Sequence, residues 1–392
     1  MFSCSSRADR ALVPPPCRQK RHCISLVQPD HAHASKGLEA LMHRRTLRSG
    51  FNMSRTACFF DQTSATNLIG LSKDDQCEIV KGLWPEVPVE RESFDPTSYT
   101  SFLQHLAKEI GHLRHHQRHF AVQNLDDTFD VVRVLRENPT KSQLEIVQLL
   151  SASYLNVAPT AIRRSLELTV RLWLTLNINS SSVAVGPTFP DETPLDWDND
   201  VSLDTLVKEQ FAKSAGGRGK MTRSKIDPAL TAAYLASTCG LQLRWTDSLS
   251  EHLRFDATRQ TLAVYRHKIC LVNHIESKGG CPIPEGVLNE MLDTLNLLFP
   301  FGDVATKQLL IKEHQQPLYQ LGSCGRTRKL DLANYEYFRE ELEYLIDSFN
   351  QPPKTWRQLA TDRRNKMEWA VFWVTVMVRS RSLLLHALGS KF

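Results

Sequence analysis

Apolar residues recur at three- and four-residue spacing along most of this chain and alternate at spacing two in one stretch only, which predicts a mainly helical body carrying one small sheet. A helix is expected from Leu71, with Ser72 as its cap and Asp74 and Asp75 in the first turn, where carboxylates suit the helix dipole. It stops near Trp84-Pro85. Phe102, Leu103, Leu106, Ile110 and Leu113 predict a second helix over 99–120. A third, 126–137, is broken by Asn138-Pro139, after which Thr140 and Gln143 are positioned as a capping box for 142–155. Pro159 opens 160–176, where Ile162, Leu166, Val170, Trp173 and Leu174 share one side. Further helices are expected at 201–211, 228–237 (closed by Gly240), 285–299, 303–313 and 335–349, with 317–321 extended and 322–328 a turn that exposes Arg326 and Arg328. Leu241 to Trp245 alternates as a strand, and Leu253-Arg254-Phe255 and Thr261 to Tyr265 flank the turn Asp256 to Gln260. The expected fold is therefore mainly α (α+β), a multi-helix body with a small antiparallel sheet near 241–265.

Past 349 the pattern changes. Pro352-Pro353 breaks the chain, a basic segment follows, and Trp369 to Val378 is an aromatic-rich apolar run, the order expected where a domain approaches a membrane. Arg379 and Arg381 then interrupt it, although a spanning helix takes about 20 apolar residues. A Val-Arg pair can be encoded with a splice-donor sequence inside it. Arg379 to Phe392 is accordingly read either as translated intron or as a short amphipathic tail. The expected organisation is a basic leader over 1–52, a helical part over 71–177, a Ser-, Pro- and Asp-rich loop over 179–200, an α+β part over 201–349, and a basic segment with a truncated apolar helix over 354–392.

The run Leu295-Asn296-Leu297-Leu298-Phe299-Pro300-Phe301-Gly302-Asp303, the pairs Leu321-Gly322 and Gly325-Arg326, the block Asn350 to Leu359 and the segment Asp362-Arg363-Arg364-Asn365 follow in that order. In these motifs the chain resembles a large group of fungal proteins of uncharacterised activity that end in a single hydrophobic helix. The likeness runs over roughly Leu71 to Val378. It implies tethering to a membrane through the terminal helix, and it brings no activity with it.

Charge refines this picture. The formal net charge is +5, yet the first fifty residues alone carry +6, which leaves the body near neutral at −1. A near-neutral body lacks the basic footprint of duplex binding, so nucleic acid is not a favoured partner. The leader, with Pro14-Pro15-Pro16 and few acids, fits a disordered extension, a start at Met53, or a mitochondrial transit peptide, the last being the least favoured. Nine scattered cysteines without a CxxC pair point to reduced thiols in a cytosolic setting. Lys354, Arg357, Arg363, Arg364 and Lys366 against Asp362 give +4 over thirteen residues, a cluster suited to an anionic cytoplasmic leaflet.

Candidate chemistry is sparse. His112, His115, His116 and His119 would share a face of a continuous helix, as zinc ligands can, but Arg114 and Arg118 beside them favour a solvated basic face. Helices 126–137, 142–155 and 160–176 could form a helix-turn-helix with Arg163, Arg164 and Arg171 on phosphates, making the protein a winged-helix-like binder together with the sheet; plain bundle packing is the favoured alternative. Ala215 to Lys220 lacks the leading glycine and hydroxyl of a phosphate loop. Asp247, Glu251, His252 and Asp256 are the set through which an unrecognised enzyme would work, because a carboxylate can orient and charge-tune a histidine. None of these amounts to a catalytic, cofactor or metal assignment. The leading expectation is a non-enzymatic interaction or regulatory protein, with an unknown protein partner and a possible anionic membrane surface.

Overall fold

The computed structural model describes residues 68–179, 194–212, 225–277, 279–350 and 366–389, all within the compact unit Met53–Phe392. Among them are thirteen α-helices and one mixed three-stranded sheet, so the mainly α (α+β) class holds.

In the first half, α1 (Lys73–Leu83), α2 (Pro96–Leu113), α3 (Leu125–Glu137), α4 (Gln143–Ser151) and α5 (Pro159–Leu174) pack around one another. The caps explain the starts. Ser72 accepts from the Asp75 amide, and Asn124 accepts from that of Asp127. The capping box lies two residues beyond the expected Thr140/Gln143 pair: Ser142 is the cap and Glu145 reaches back to its amide, which starts the helix at Gln143. The expected helix over 99–120 is also corrected. Regular α geometry stops at Leu113, and a 3₁₀ segment, Arg114–His119, carries a non-helical residue at His116 (φ −124°, ψ 19°). Gly82 permits the close crossing of α1 and α3, because a Cβ there would sit 2.4 Å from the Phe129 ring.

A parallel pair of short strands, β1 (Ile178–Asn179) and β2 (Leu195–Asp196), follows, then α6 (Leu203–Gln210) and α7 (Ala232–Thr238). Gly240 just past α7 sits at φ 73°, the left-handed position a helix stop favours. The three strands of the main sheet are where the alternation put them, but not in the expected direction. Strand β3 (Gln242–Thr246) pairs parallel with β5 (Thr261–Tyr265), and only β4 (Phe255–Asp256) runs antiparallel to β5, in the order β3-β5-β4. The connection through the 3₁₀ turn Leu249–Glu251 and β4 carries the chain back to β3's starting end, so β5 leaves in β3's direction.

Two helices hold the centre. The first, α8 (Lys268–Glu276), is absent from the pattern reading, because polar Lys268, Asn273 and His274 are buried on it and mask its apolar period. The second, α9 (Glu285–Leu298), is buried on nearly every side and includes Glu290, Asp293, Thr294 and Asn296 among its buried residues. Then come α10 (Val304–Lys312), α11 (Gln316–Gln320), where an extended segment was expected, α12 (Arg339–Asn350) and α13 (Lys366–Gly389). Arg326 and Arg328, expected in the open, are instead tied inward. Arg326 forks onto Asp293 and reaches Asn289, while Arg328 caps the carbonyls of Leu297, Pro228 and Leu230. The segments 71–177 and 201–349 share this core: the Trp84 indole donates to His274 Nδ1, and Tyr99 donates to Asn273.

The buried Glu290 carboxylate accepts the backbone N–H groups of Glu336, Tyr337 and Phe338 just ahead of α12. Removing it leaves three amides without their acceptor, each costing on the order of 1 kcal/mol or more. Glu290→Ala is expected to lower the urea midpoint by the equivalent of about 3 kcal/mol, with loss of order in α12 visible by hydrogen exchange; an unchanged midpoint would contradict this role.

Candidate functional site

The four acidic and histidine residues singled out between 247 and 256 do not converge. Glu251 is buried and forms ion pairs with Arg254 and Arg244. Asp256 is a turn residue that accepts the amides of Thr258 and Arg259. His252 is fully enclosed: its Nδ1 accepts the Tyr265 amide at 3.3 Å, and its Nε2 lies 2.8 Å from the Thr294 hydroxyl, which itself donates to the Met291 carbonyl. Those partners assign the proton to Nε2 and leave Nδ1 an acceptor. A cleft of about 630 Å³ opens beside this region, lined by Glu251, His252, Arg254, Phe255, Glu341 and Tyr344 among others. Burial raises the Glu341 carboxyl above its ordinary range there, while the His252 ring is enclosed and held by Thr294 and Tyr265.

Asp247 belongs to a different constellation. Just past β3, it faces α2 and the end of β5, and it meets His105, Lys108, Arg266 and His267. Its Oδ1 is taken by Arg266 Nε at 2.6 Å and His267 Nε2 at 2.9 Å. Its Oδ2 faces His105 Nδ1 and Lys108 Nζ, each at 3.6 Å. Burial works against a charged Asp247, but the two imidazoles facing it outweigh that and hold its carboxyl far below the usual range. Burial pushes His267 down to about 4 in spite of the opposing pull of Asp247.

Neither His105 nor His267 stood out in the sequence reading. His105 lies one residue from Leu106 on the packed side of α2, where a histidine among Phe102, Leu103 and Leu106 is the only available signal. His267 sits at the cap position of the helix the pattern missed.

Of the histidine stripe, His116 and His119 are exposed, with ring centroids 6.0 Å apart and His119 against Arg164; the side chains of His112 and His115 lie outside the described residues. The kink at His116 breaks the single face that a shared ion would need. Arg171, expected to reach phosphates, pairs with buried Glu109, and α5 is buried over most of its length. The Gly-rich segment 215–220, the Pro-Pro break and the basic residues Lys354, Arg357, Arg363 and Arg364 lie outside the described residues.

The surface feature that stands apart is α13. Met367, Val371, Trp373, Val374, Met377 and Val378 are all exposed on it, followed by exposed Arg379 and Arg381. Trp369, Phe372 and Trp373 cluster, with ring centroids 5.4 Å apart for the Phe372–Trp373 pair and 6.4 Å for Trp369–Trp373. Among the described residues no helix is long and apolar enough to cross a membrane. No protein-family model, curated protein or solved structure matches the chain.

His252, His267 and His274 are buried and neutral, with folded pKa values of about 3, 4 and 3. Unfolded, each would protonate near pH 6.5, so the unfolded state binds more protons below that pH. Their contribution is complete above about pH 6.5 and is lost as pH falls toward their folded values, at up to ~1.4 kcal/mol per unit for each ring. The urea midpoint is therefore expected to drop steadily from pH 7 to pH 5, and a level midpoint across that interval would contradict neutral burial.

Proposed function

We propose that the protein is a non-enzymatic interaction protein that works at an anionic membrane surface, held there by α13 and the basic segment before it. The observation that supports this reading is the set of exposed apolar side chains between Met367 and Val378, a stretch whose one charged residue is Glu368 near its start and which contrasts with the closed core of the body. At 1.5 Å rise per residue that run is about 18 Å long, short of the ~30 Å hydrocarbon core, so it suits shallow insertion rather than a span. Trp369 and Trp373 are of the residue type that settles at the headgroup level, and exposed Arg379 and Arg381 bound the run on its far side. Lys354, Arg357, Arg363, Arg364 and Lys366 add charge on its near side, at about 1 kcal/mol per residue close to an anionic surface. The anionic leaflet is the cytoplasmic one, so the body would stand on the cytosolic side.

Flotation of the full chain with phosphatidylcholine vesicles, with and without phosphatidylserine, tests this. Binding is expected to require the anionic lipid, to fall with salt, and to weaken roughly a hundredfold in Val374→Asp/Met377→Asp, since each change sets a charge into the apolar contact at a cost of a kcal/mol or more. Equal binding to both vesicle types, or self-association through α13 without vesicle binding, would sink the reading.

A further inference from the structure

We propose that His105, Asp247 and His267 form a site for one divalent transition-metal ion of the zinc class, which joins α2 to the two strand ends that carry Asp247 and His267. This goes beyond the membrane reading and is independent of it. One donor atom from each of the three residues lies within 4.8 Å of the other two, and among the described residues this is the one such group. An ion bonded at about 2.0–2.2 Å to each donor holds those donors about 3.3–3.5 Å apart, so small side-chain rotations close the site.

A second observation points to a ligand. His105 is 5% exposed and His267 is fully buried, yet both ring nitrogens of His105 and the Nδ1 of His267 have no hydrogen-bond partner. Buried polar atoms are rarely left so, because each forfeits its hydration without compensation. The nearest candidate partner for His105, Asp247 Oδ2, stands 3.6 Å from Nδ1, too far for a hydrogen bond. The same oxygen is the less engaged of the two, since Arg266 and His267 both converge on Oδ1. Two imidazoles and a carboxylate oxygen therefore meet here, with both His105 nitrogens unengaged and His267 able to ligate through Nε2 once the ion replaces its hydrogen bond to Asp247. Their chemistry suits an ion of intermediate softness, for which imidazole nitrogen and carboxylate oxygen are both good ligands.

Arg266 on Oδ1 acts as the outer partner that fixes the carboxylate's orientation. Lys108 is the opposing group: its ammonium stands 3.6 Å from Oδ2 and competes with a cation there. The Asp247 side chain is 14% accessible, which gives an ion a path from solvent. The three ligands come from positions 105, 247 and 267, so the ion would tie the helical half of the chain to its sheet.

The test uses the full chain, stripped with a chelator and titrated with zinc alone, and with cobalt(II) as a spectroscopic probe. Histidines and cysteines elsewhere in the sequence also bind zinc, so total stoichiometry does not decide; the variants do. His105→Gln is expected to weaken the tightest binding by roughly tenfold or more and to abolish the visible cobalt bands of a low-coordinate nitrogen and oxygen site. Lys108→Met, at a side chain 37% exposed and so tolerant of change, is expected to tighten zinc binding several-fold by removing the competing charge. Unchanged zinc affinity in Lys108→Met overturns the proposal even if His105→Gln fails to fold. So does unchanged affinity in a folded His105→Gln.

Discussion

Two central helices, α8 and α9, are enclosed by the rest of the body yet carry seven polar side chains into it: Lys268, Asn273 and His274 on the first, Glu290, Asp293, Thr294 and Asn296 on the second. Burying such groups is unfavourable unless each finds a partner, and the partners come from every part of the chain. Trp84 on the α1 exit and the Trp173 carbonyl on α5 hold His274; Tyr99 on α2 holds Asn273. His252 meets Thr294 from the sheet side. Lys268 joins Asn296 to the carbonyl of Gly322, and Arg326 with Lys329 closes on Asp293. Breaking a buried charged pair by removing one member typically costs 3–5 kcal/mol, more than exposed pairs contribute, so these contacts hold the peripheral segments in place against the two helices.

The same constraint explains what the sequence could and could not disclose. Helices with one apolar face, such as 126–137 and 335–349, were readable, and so were caps such as Ser72 and the stop at Gly240, because their signals are local. Helix α8 was not, since its buried face mixes Ile269, Cys270 and Leu271 with Lys268, Asn273 and His274, and no amphipathic period survives. Strand positions 242–246 and 261–265 were legible from alternation, whereas their parallel pairing depends on where the intervening turn returns the chain. Arg326 and Arg328 looked like surface residues because an arginine in a turn usually is one; their acceptors, Asp293 and the carbonyls of Leu297, Pro228 and Leu230, are remote in sequence.

Asp247 shows the limit most clearly. It was noticed, but beside its sequence neighbours Glu251, His252 and Asp256, each of which has its own local task. Its spatial companions are His105, brought by α2, and His267, which ends the loop after β5. A cluster assembled from three separate elements leaves no spacing to detect. The lone histidine on the packed side of α2 was its only trace in the sequence.

The body and α13 answer the problem of apolar surface in opposite ways. Within the body many polar side chains are drawn inside, most of those on α8 and α9 with partners, while α13 leaves Val371, Trp373, Val374 and Met377 in the open. Exposed apolar area of this kind is unfavourable in water, and a contiguous patch marks a contact surface rather than an ordinary exterior. Charge narrows the choice of contact. The apolar run is preceded by Lys366 and Glu368 and followed by Arg379 and Arg381, so basic charge exceeds acidic charge at its ends.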